Sequence, residues 1–248
     1  MSGVLIAGGA TGIGAAAVRA FRQRGDRVLL ADRNEEAGRA LVAEDLPGEA
    51  AFLHSDFSEA DAAEAAVEAA VSFNVGSLDT VFYNAAVLEA RPLGEWTPED
   101  WDRSAAVNLR APFLMSQAAA PHLRKSDVGR IILTSSTGAF RGHAGMPAYH
   151  ATKAGLLGMV RALADELGPD GVTVNAVCPG WVDTPFNSAF WSHQQDPARA
   201  LDELTGQIPL RRQADPDDMT GLLLFLASSA SSYITGQALV IDGGYTSV

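Results

Sequence analysis

Short apolar runs alternate along this chain with segments in which apolar residues recur at the spacing of a helix. The first run covers residues 3–7, and helical spacing follows at 15–24 before a second run at 27–31. Apolar runs joined by helical segments are typical of a parallel sheet whose two faces are both covered. The pattern therefore predicts an α/β fold with a doubly wound parallel sheet and helices on both faces.

The alternation continues to the end of the chain without a linker, an internal repeat or a change in composition. It predicts seven strands, at 3–7, 27–31, 50–54, 80–83, 129–135, 173–178 and 239–242. It predicts helices at 15–24, 34–46, 59–73, 97–124, 147–167 and 215–228. We therefore interpret residues 1–248 as one domain built on one sheet.

The periodicity fails only between residues 184 and 207. This segment carries bulky residues among Asn, Ser and Gln, namely Pro185, Phe186, Phe190, Trp191 and His193. Long insertions without regular structure are usually functional in compact domains. The stretch at about 185–207 is therefore a candidate lid over a substrate.

Composition narrows the choice of partners. The net charge of -12 and the pI near 4.7 disfavour binding to nucleic acid or anionic membranes, and basic residues form only isolated pairs. The single cysteine, Cys178, excludes an internal disulfide and a metal site built from thiolates, and we expect no metal. Because no apolar run spans a bilayer and no signal peptide is evident, we expect a cytoplasmic protein that binds a small molecule.

A glycine-rich turn, Gly8-Gly9-Ala10-Thr11-Gly12-Ile13-Gly14, joins the first predicted strand to the first helix. Glycines let the backbone approach a ligand closely, and the N-terminus of the helix offers free N–H groups to a pyrophosphate. Such a site needs no basic side chain. A plain tight turn is the alternative, because a glycine turn alone has low specificity.

An acidic residue, Asp32, ends the second predicted strand about 20 residues after the glycines, where a ribose-binding acid is expected. A carboxylate accepts hydrogen bonds from ribose hydroxyls and repels a 2′-phosphate, so Asp32 favours NAD over NADP. Arg33 follows it and partly offsets that repulsion. The alternative role for Asp32 is to cap the next helix.

A second acid, Asp56, follows the third strand, at the sheet edge where ligands of open α/β folds bind. It either contacts an adenine or caps a helix that begins near Ser58. Further along, Asn108 falls inside a predicted helix although asparagine is a poor helix former. We expect either a core hydrogen bond or a role in a site to compensate there.

Tyr149 and Lys153 lie four residues apart on the predicted helix 147–167 and therefore share one face. A free tyrosine has a pKa of about 10, too high for a base at neutral pH. A cation about 4 Å away favours the phenolate by about 4 kcal/mol at an effective dielectric near 20, before desolvation is subtracted. The pair is thus either a proton-transfer site or a solvated pair on a helix surface.

These features occur in a recognisable order together with Asn84-Ala85 after the fourth strand, Ser136, Pro179-Gly180, Thr235-Gly236 and Asp242-Gly243-Gly244. Along essentially its whole length the chain resembles the short-chain dehydrogenase/reductase family, in its single-domain branch with a Tyr-x-x-x-Lys active site. The resemblance implies a Rossmann fold and a nicotinamide cofactor. It also implies hydride transfer between a secondary alcohol and its ketone, with NAD preferred to NADP.

The resemblance implies roles for individual residues. The family's serine lies 13 residues before its tyrosine, which selects Ser136 over Ser135 and Thr134. Tyr149 then exchanges the proton, Ser136 holds the substrate oxygen, Lys153 holds the nicotinamide ribose and Asn108 keeps a water in the relay. The implied cofactor contacts are Gly8, Thr11, Gly12, Ile13, Gly14, Asp32, Arg33, Asp56, Phe57, Asn84, Ala85, Tyr149, Lys153, Pro179, Gly180, Val182 and Thr184.

The chain departs from the family pattern at Ala7, usually threonine, at Tyr83, usually asparagine, and at Ala86, usually glycine. These departures concern the surroundings of the cofactor turn and the shape of the pocket near Tyr83. Two other functions on the same fold are alternatives. Related dehalogenases keep the serine and tyrosine but lose the glycines and the lysine, both of which this chain retains. Regulators or scaffolds on the same fold tend to lose the tyrosine, which this chain retains.

The sequence also limits the substrate. Bulky residues on loops at one sheet edge suggest an apolar, cyclic or aromatic secondary alcohol, although lids are also apolar to exclude water: Leu88, Phe140, Met146, Trp181, Phe186, Phe190 and Trp191. Arg91, Arg141 and His143 either meet an anion or are solvated. Trp96 and Trp101 are expected in the core or at subunit contacts. Relatives usually form tetramers through the fourth and fifth helices and the last strand with its preceding helix.

Overall fold

All seven strands lie in one parallel sheet in the order β3-β2-β1-β4-β5-β6-β7. The computed structural model describes residues 2–192 and 194–248, so His193 of the predicted lid lies outside the described residues. The strands are β1 (Gly3–Ala7), β2 (Arg27–Asp32), β3 (Ala50–His54), β4 (Thr80–Tyr83), β5 (Arg130–Thr134), β6 (Thr173–Pro179) and β7 (Ala238–Ile241). The predicted fold class and strands are confirmed, with ends that differ by one residue at most.

Helices connect successive strands. They are α1 (Gly12–Gln23), α2 (Glu35–Val42), α3 (Ala62–Phe73), α4 (Pro98–Ala105), α5 (Ala111–Leu123), α6 (Pro147–Leu167), α7 (Ser188–Ser192), α8 (Pro197–Gln207) and α9 (Thr220–Leu226). One face of the sheet packs on α3, α5 and α6, and the other face packs on α1 and α9. None of the helices within the described ranges is long and apolar enough to cross a membrane.

The order of the strands creates a crevice. The chain builds β1, β2 and β3 outward in one direction and then returns to place β4 on the other side of β1. Open α/β folds bind ligands at such a reversal, outside the carboxyl ends of the strands. Because Ala7 pairs with both Ala31 and Tyr83, the segments that follow β1, β2 and β4 emerge side by side.

The predicted helix at 97–124 is present, but it changes pitch in the middle. Thr97 caps it through a capping box with Asp100, and Pro98 opens it. Residues Ala106–Arg110 form a π-helical turn between α4 and α5, in which the Ala111 N–H donates to the Ala106 carbonyl. Single π-turns of this kind are frequent at functional sites.

The prediction that residues 184–207 lack regular structure is wrong. A 3₁₀ turn (Pro185–Asn187), α7 and α8 occupy most of this segment. The start signals of α8 were present in the sequence: the Asp196 side chain accepts from the Arg199 N–H at 3.1 Å, and Pro197 takes the first helical position. The helices are short and partly polar, which hid their periodicity.

Candidate active site

A cavity of about 440 Å³ runs along the carboxyl edge of the sheet. Most of the predicted site residues line it: Gly8, Thr11, Gly12, Ile13, Asp32, Arg33, Asp56, Phe57, Asn84, Ala85, Ser136, Tyr149, Lys153, Pro179, Gly180, Val182 and Thr184. Gly14 and Asn108 do not line it. The cavity therefore unites residues that lie up to 176 positions apart, from Gly8 to Thr184.

The glycine turn is packed backbone against backbone. A Cβ on Gly8 would lie 2.4 Å from the Ala85 backbone, and one on Gly14 would lie 2.0 Å from the Gly8 carbonyl oxygen. Gly14 thus lets the start of α1 pack directly against the backbone of Gly8. Thr11, at the N-cap of α1, makes no side-chain cap, and the first turn of α1 contains no acid. The backbone N–H groups in the first turn of α1 are consequently available to an anion such as a pyrophosphate.

Asp32 is fixed by the backbone around it. One carboxylate oxygen accepts from the Ala10 N–H at 2.9 Å and the other accepts from the Asn34 N–H at 2.9 Å. The helix cap is Asn34, whose side chain accepts from the Ala37 N–H at 3.1 Å, so the alternative that Asp32 caps α2 is wrong. The Asp32 carboxylate instead faces the cavity next to the glycine turn, beside Arg33.

Asp56 closes a local turn. Its carboxylate accepts from the Ser58 N–H at 2.9 Å, and this bond above all lowers the pKa of Asp56. Because α3 begins only at Ala62, with Asp61 at its N-cap, the alternative that Asp56 caps a helix near Ser58 is wrong. Phe57 is buried and packs edge to face on Tyr83 with centroids 5.5 Å apart.

Asn84 ties the glycine turn to the catalytic side of the cavity. Its amide donates to the Gly8 carbonyl at 3.0 Å, and its amide oxygen accepts from the Thr134 hydroxyl at 3.1 Å. Tyr83, which departs from the family pattern, does not line the cavity. It is buried, and its hydroxyl donates to the Val107 carbonyl in the π-turn at 2.7 Å.

Tyr149 and Lys153 share a face of α6, but they are not a solvated pair. Lys153 is only 2% exposed, and its ammonium donates to the Thr134 carbonyl at 2.7 Å, 5.7 Å from the centre of the Tyr149 ring. Burial lowers the pKa of Lys153 to about 7. The reading of the pair as a solvated surface pair is therefore wrong.

The expected lowering of the Tyr149 pKa by Lys153 is also wrong for the protein alone. Desolvation raises the pKa of Tyr149, and the nearby Ser136 hydroxyl offsets only part of that rise. Desolvation dominates because burial disfavours the charged form of each group, the Lys153 ammonium as well as the Tyr149 phenolate. Cys178 lies beside this pair and, since it too is buried, has its pKa raised to about 11.

Three hydroxyls follow each other at the end of β5, and their hydrogen bonds separate their roles. Thr134 donates to Asn84, and Ser135 donates to the Lys153 carbonyl at 2.8 Å. The Ser136 hydroxyl accepts from the Gly138 N–H at 2.9 Å, and its hydrogen bond to the Tyr149 side chain offsets part of the desolvation that raises the pKa of that phenol. Ser136 and Tyr149 therefore meet at one point of the cavity, where both can contact a ligand oxygen.

Asn108 lies behind the cavity in the π-turn and is 1% exposed. Its side-chain oxygen accepts from the Val87 N–H at 2.8 Å, and its amide donates to the Val87 carbonyl at 2.9 Å and to the Thr152 hydroxyl at 3.3 Å. The side chain is thus engaged in holding the chain after β4 against α6. These bonds provide the local compensation expected for asparagine inside a helix.

The end of β6 completes the cofactor side. The Gly180 N–H donates to the Ile241 carbonyl at 3.0 Å, and a Cβ on Gly180 would lie 2.7 Å from Asp242. The Thr184 side chain approaches Gly12 so closely that a Cβ there would lie 2.9 Å from it. Thr184 therefore lies across the cavity from the glycine turn.

The other end of the cavity is largely apolar. Leu88, Met146, Trp181 and Phe186 line it, whereas Phe140 is exposed. Phe190 and Trp191 do not line the cavity and instead pack around Trp181, with ring centroids 4.7 and 5.4 Å from it. The second layer therefore fixes the position of Trp181.

Of the three basic residues considered for an anion, two are engaged elsewhere. Arg91 forms ion pairs with Glu89 and Asp100, each at 2.8 Å. Arg141 stacks on the Tyr245 ring at 4.3 Å. His143 lines the cavity, and desolvation lowers its pKa.

Trp96 and Trp101 do not line the cavity. Trp96 donates from its indole to the Arg91 carbonyl at 3.3 Å, and Trp101 is 46% exposed on α4. No cluster of three or more His, Cys, Asp or Glu able to hold a metal ion occurs in residues 2–192 and 194–248.

Several further residues that no sequence pattern identified as site residues also line the cavity, namely Ser55, Thr137, His150 and Asn187. His150 lies inside the Tyr-x-x-x-Lys motif, next to a residue already assigned, so its position was available as a signal. Asn187 lies in the aperiodic segment, where only the fold shows that its amide donates to the Val182 carbonyl at 2.6 Å.

Known proteins share this architecture. The family model described as enoyl-(acyl carrier protein) reductase matches residues 8–246. A solved short-chain dehydrogenase/reductase from Serratia marcescens BCRC 10948 superimposes with a TM-score of 0.89, is 34% identical, and the match covers 98% of this chain and 97% of that one. The chain belongs to the short-chain dehydrogenase/reductase family.

Other short-chain dehydrogenases/reductases of similar sequence differ in the substrates that their names state. The probable galactose dehydrogenase GalD of Rhizobium meliloti (strain 1021) is 39% identical over 98% of this chain and 94% of that protein. The cyclopentanol dehydrogenase of Comamonas sp. (strain NCIMB 9872) is 36% identical over 98% and 96%. Members of the family use a nicotinamide dinucleotide. The glycine turn at residues 8–14, which forms a glycine cradle for a ligand, and the uncapped N-terminus of α1 fit the pyrophosphate of such a cofactor.

Proposed function

We propose that this protein is an NAD-dependent dehydrogenase/reductase that interconverts a secondary alcohol and its ketone. One observation carries the proposal: the Tyr149 ring and the Ser136 hydroxyl face the same cavity as the glycine cradle and Asp32. A proton-transfer group and a dinucleotide cradle are thus brought into one space. The arrangement suits removal of a hydride and a proton from one carbinol group.

The side chains divide the work on the substrate. Ser136 donates its hydroxyl proton to the substrate oxygen, and Tyr149 takes the hydroxyl proton of the alcohol or returns it to the ketone oxygen. When bound, the nicotinamide ring supplies the hydride acceptor or donor, and its oxidised form adds positive charge that favours the phenolate. Tyr149 lies on α6, and Ser136 lies two residues after β5 at the start of a 3₁₀ turn, so the two groups hold the oxygen from two different elements.

Lys153 supports the proton transfer from behind. Its ammonium donates to the Thr134 carbonyl, and its remaining protons would hold the hydroxyls of a nicotinamide ribose. With a pKa of about 7, Lys153 exchanges a proton readily near neutral pH. Asn108 is proposed to position this region through its side-chain bonds to Val87 and Thr152, and its role in keeping a water in the proton relay stays a prediction.

The proposed cofactor is NAD rather than NADP. The Asp32 carboxylate is held in place by two backbone N–H groups, so it cannot turn away from a 2′-phosphate without losing both bonds. The remaining cofactor contacts are proposed at Asp56 and Phe57 on the adenine side, at Asn84 and Ala85, and at Pro179, Gly180, Val182 and Thr184 on the nicotinamide side.

The proposed substrate is an apolar, cyclic secondary alcohol. Leu88, Met146, Trp181 and Phe186 supply an apolar wall, and His143 supplies one polar group. The cyclopentanol relative supports this class, and a sugar such as that of the galactose relative would need more polar partners.

Residues 185–207 are the proposed lid of a single domain. Homotetramers are proposed through α4, α5, α6 and the β7 region, where Trp101 and Phe113 are exposed.

The experiment is a panel of secondary alcohols and ketones, assayed with NAD and with NADP. Tyr149→Phe is expected to lower kcat by about 10³-fold or more while the Kd for NADH stays within twofold, because only the proton carrier is removed. Tyr233→Phe is the matched control, since Tyr233 is fully exposed. Substantial turnover by Tyr149→Phe would overturn the assignment. A wild-type protein that binds NADH but turns over no member of the panel would favour a regulator on the same fold.

A further inference from the structure

We propose that His150 is a positioning residue that clamps the substrate-facing loop 138–143 to the catalytic helix α6. Its Nδ1 lies 2.7 Å from the Gly138 carbonyl oxygen, and its Nε2 accepts from the backbone N–H of His143 at 2.9 Å. Both ring nitrogens are therefore engaged by the loop. The inference rests on the proposed function, because it concerns the groups that hold the substrate.

The two bonds define the protonation state of the ring. A backbone N–H can only donate, so Nε2 must be the unprotonated acceptor opposite His143. Nδ1 must then carry the proton, because the Gly138 carbonyl can only accept. His150 is consequently neutral and held as the Nδ1–H tautomer.

The clamped loop carries groups of both the chemical and the substrate side. Gly138 donates its N–H to the Ser136 hydroxyl, so the Gly138 end of the clamp orients the serine. At the other end His143 lines the cavity, with its ring 5.4 Å from Trp181 and 6.0 Å from Phe190. His150 thus sets Ser136 and the aromatic wall relative to Tyr149, its neighbour in sequence.

The glycine at 138 permits this clamp. A Cβ there would lie 2.9 Å from the His150 Nδ1 and 3.2 Å from the Ser136 hydroxyl oxygen. Any larger residue would push the imidazole or the serine away. The residue types at 136, 138 and 150 therefore form one local solution, in which backbone, hydroxyl and imidazole approach within hydrogen-bond distance.

A proton added to His150 would disrupt the clamp, because Nε2–H would then face the His143 N–H. Charged or titratable side chains lie on both elements that the clamp joins. His143 and Arg141 lie on the loop, and Tyr149 and Lys153 lie on α6. No carboxylate oxygen lies within 4.0 Å of a His150 ring nitrogen in the described part of the chain. The clamp therefore requires the neutral ring.

The first test reads the tautomer directly and needs no turnover. The chain contains 5 histidines, so protein labelled with ¹⁵N only at histidine gives a long-range ¹H–¹⁵N spectrum in which His150 is assigned by its loss in His150→Gln. We expect the Nδ1–H tautomer at pH 8. The Nε2–H tautomer, which free histidine prefers, or a mixture of the two would overturn the clamp.

The second test separates the two bonds by substitution. His150→Leu keeps an apolar side chain but removes both bonds, and we expect kcat to fall and KM for the alcohol to rise, each about tenfold. His150→Asn offers a donor near the position of Nδ1 and is expected to restore kcat. His150→Gln offers an acceptor near the position of Nε2 and is expected to restore KM. The Kd for NADH should stay within twofold in all three variants.

His122→Gln is the control, since His122 lies in the last turn of α5 outside the cavity. If His150→Leu keeps the kcat and KM of that control, or if Asn and Gln rescue neither constant, the clamp does not position the site. A wild-type protein without activity on any alcohol would refute the proposed function alone, because the tautomer spectrum would still decide the clamp.

Discussion

The two ends of the cavity are built by different means. At the cofactor end the close approaches involve backbone: Gly8 against Ala85 and Gly14 against Gly8 leave no room for a single added carbon. At the substrate end the walls are side chains, with Trp181 held by Phe190 and Trp191 through ring contacts of 4.7 and 5.4 Å. A side-chain wall can change its shape without moving the backbone, whereas the glycine cradle cannot.

This difference fits the range of substrates in the names of related chains, which extends from a sugar to cyclopentanol. Function on a common fold diverges in the part of the site that tolerates substitution. The two ends meet on α6, where Lys153 reaches Thr134 and Tyr149 lines the cavity. Substitutions at the meeting point, at the cradle and at the wall should therefore differ in size and kind.

The largest effect is expected at the meeting point. Lys153→Met should lower kcat by about 10³-fold, because it removes the buried ammonium from the proton path. The same change should stabilise the fold. Lys153 is buried with a pKa of about 7 instead of 10.5, so the folded state disfavours its charge. Steady-state kinetics with the best alcohol of the panel measure the first effect, and urea unfolding measures the second.

The stability effect depends on pH in a defined direction. Between pH 7 and 10.5 the unfolded chain binds a proton that the folded chain has released, so this group makes stability rise with pH across that range. Its cost is full below pH 7 and absent above 10.5. Lys153→Met should therefore gain on the order of a few kcal/mol in unfolding free energy at pH 6 and less at pH 9. A gain that grew with pH would contradict the assignment.

The next effect tests the rigidity of the cradle. A Cβ added by Gly14→Ala would meet the Gly8 carbonyl oxygen at 2.0 Å and the Gly9 Cα at 2.6 Å, so the turn must shift. We expect NADH binding to weaken about 100-fold and the melting temperature to fall. Gly221→Ala in α9 is the matched control, because a Cβ there meets nothing within 4 Å. Unchanged NADH binding by folded Gly14→Ala would refute a cradle set by close backbone contacts.

A smaller effect concerns cofactor choice. Asp32→Asn keeps an oxygen for one of the two N–H groups but removes the negative charge next to the glycine turn. We expect the Kd for NADH to rise about tenfold and the Kd for NADPH to fall, since the repulsion of the 2′-phosphate is relieved. Fluorescence titrations with both nucleotides measure the ratio. A wild-type preference for NADP would show that Arg33 outweighs Asp32.

Much of the fold was predictable because its signals are local. Apolar runs marked the strands, and the glycine turn, Asp32 and Asn84 follow strand ends whose parallel pairing brings them to one edge. The helix 147–167 was predicted with its observed bounds. Most candidate cofactor residues could be named for the same reason.

What could not be predicted depends on distant contacts. The pKa of Tyr149 follows from burial that sequence spacing does not report, and spacing alone suggested a shift in the other direction. The π-turn at Asn108 depends on Val87 and Thr152, which are 21 and 44 residues away. The helices α7 and α8 of the proposed lid could not be predicted because they are short and depend on tertiary contacts, such as that of Trp191 in α7 with Trp181.

The smallest expected effect lies at the side-chain wall and completes the contrast. Trp181→Leu removes the ring on which Phe190 and Trp191 pack, yet it changes no backbone contact of the glycine turn. We expect KM for a cyclic alcohol to rise three- to tenfold, roughly the loss of 1 kcal/mol of apolar contact, and KM for a smaller acyclic alcohol to change less. NADH affinity should stay within twofold, because the cradle and Asp32 are unaffected. If Trp181→Leu instead weakened NADH binding as much as Gly14→Ala does, the two ends of the cavity would be coupled through the residues that follow β6, from Gly180 to Thr184. The separation between a rigid cofactor end and an adaptable substrate end would then be wrong.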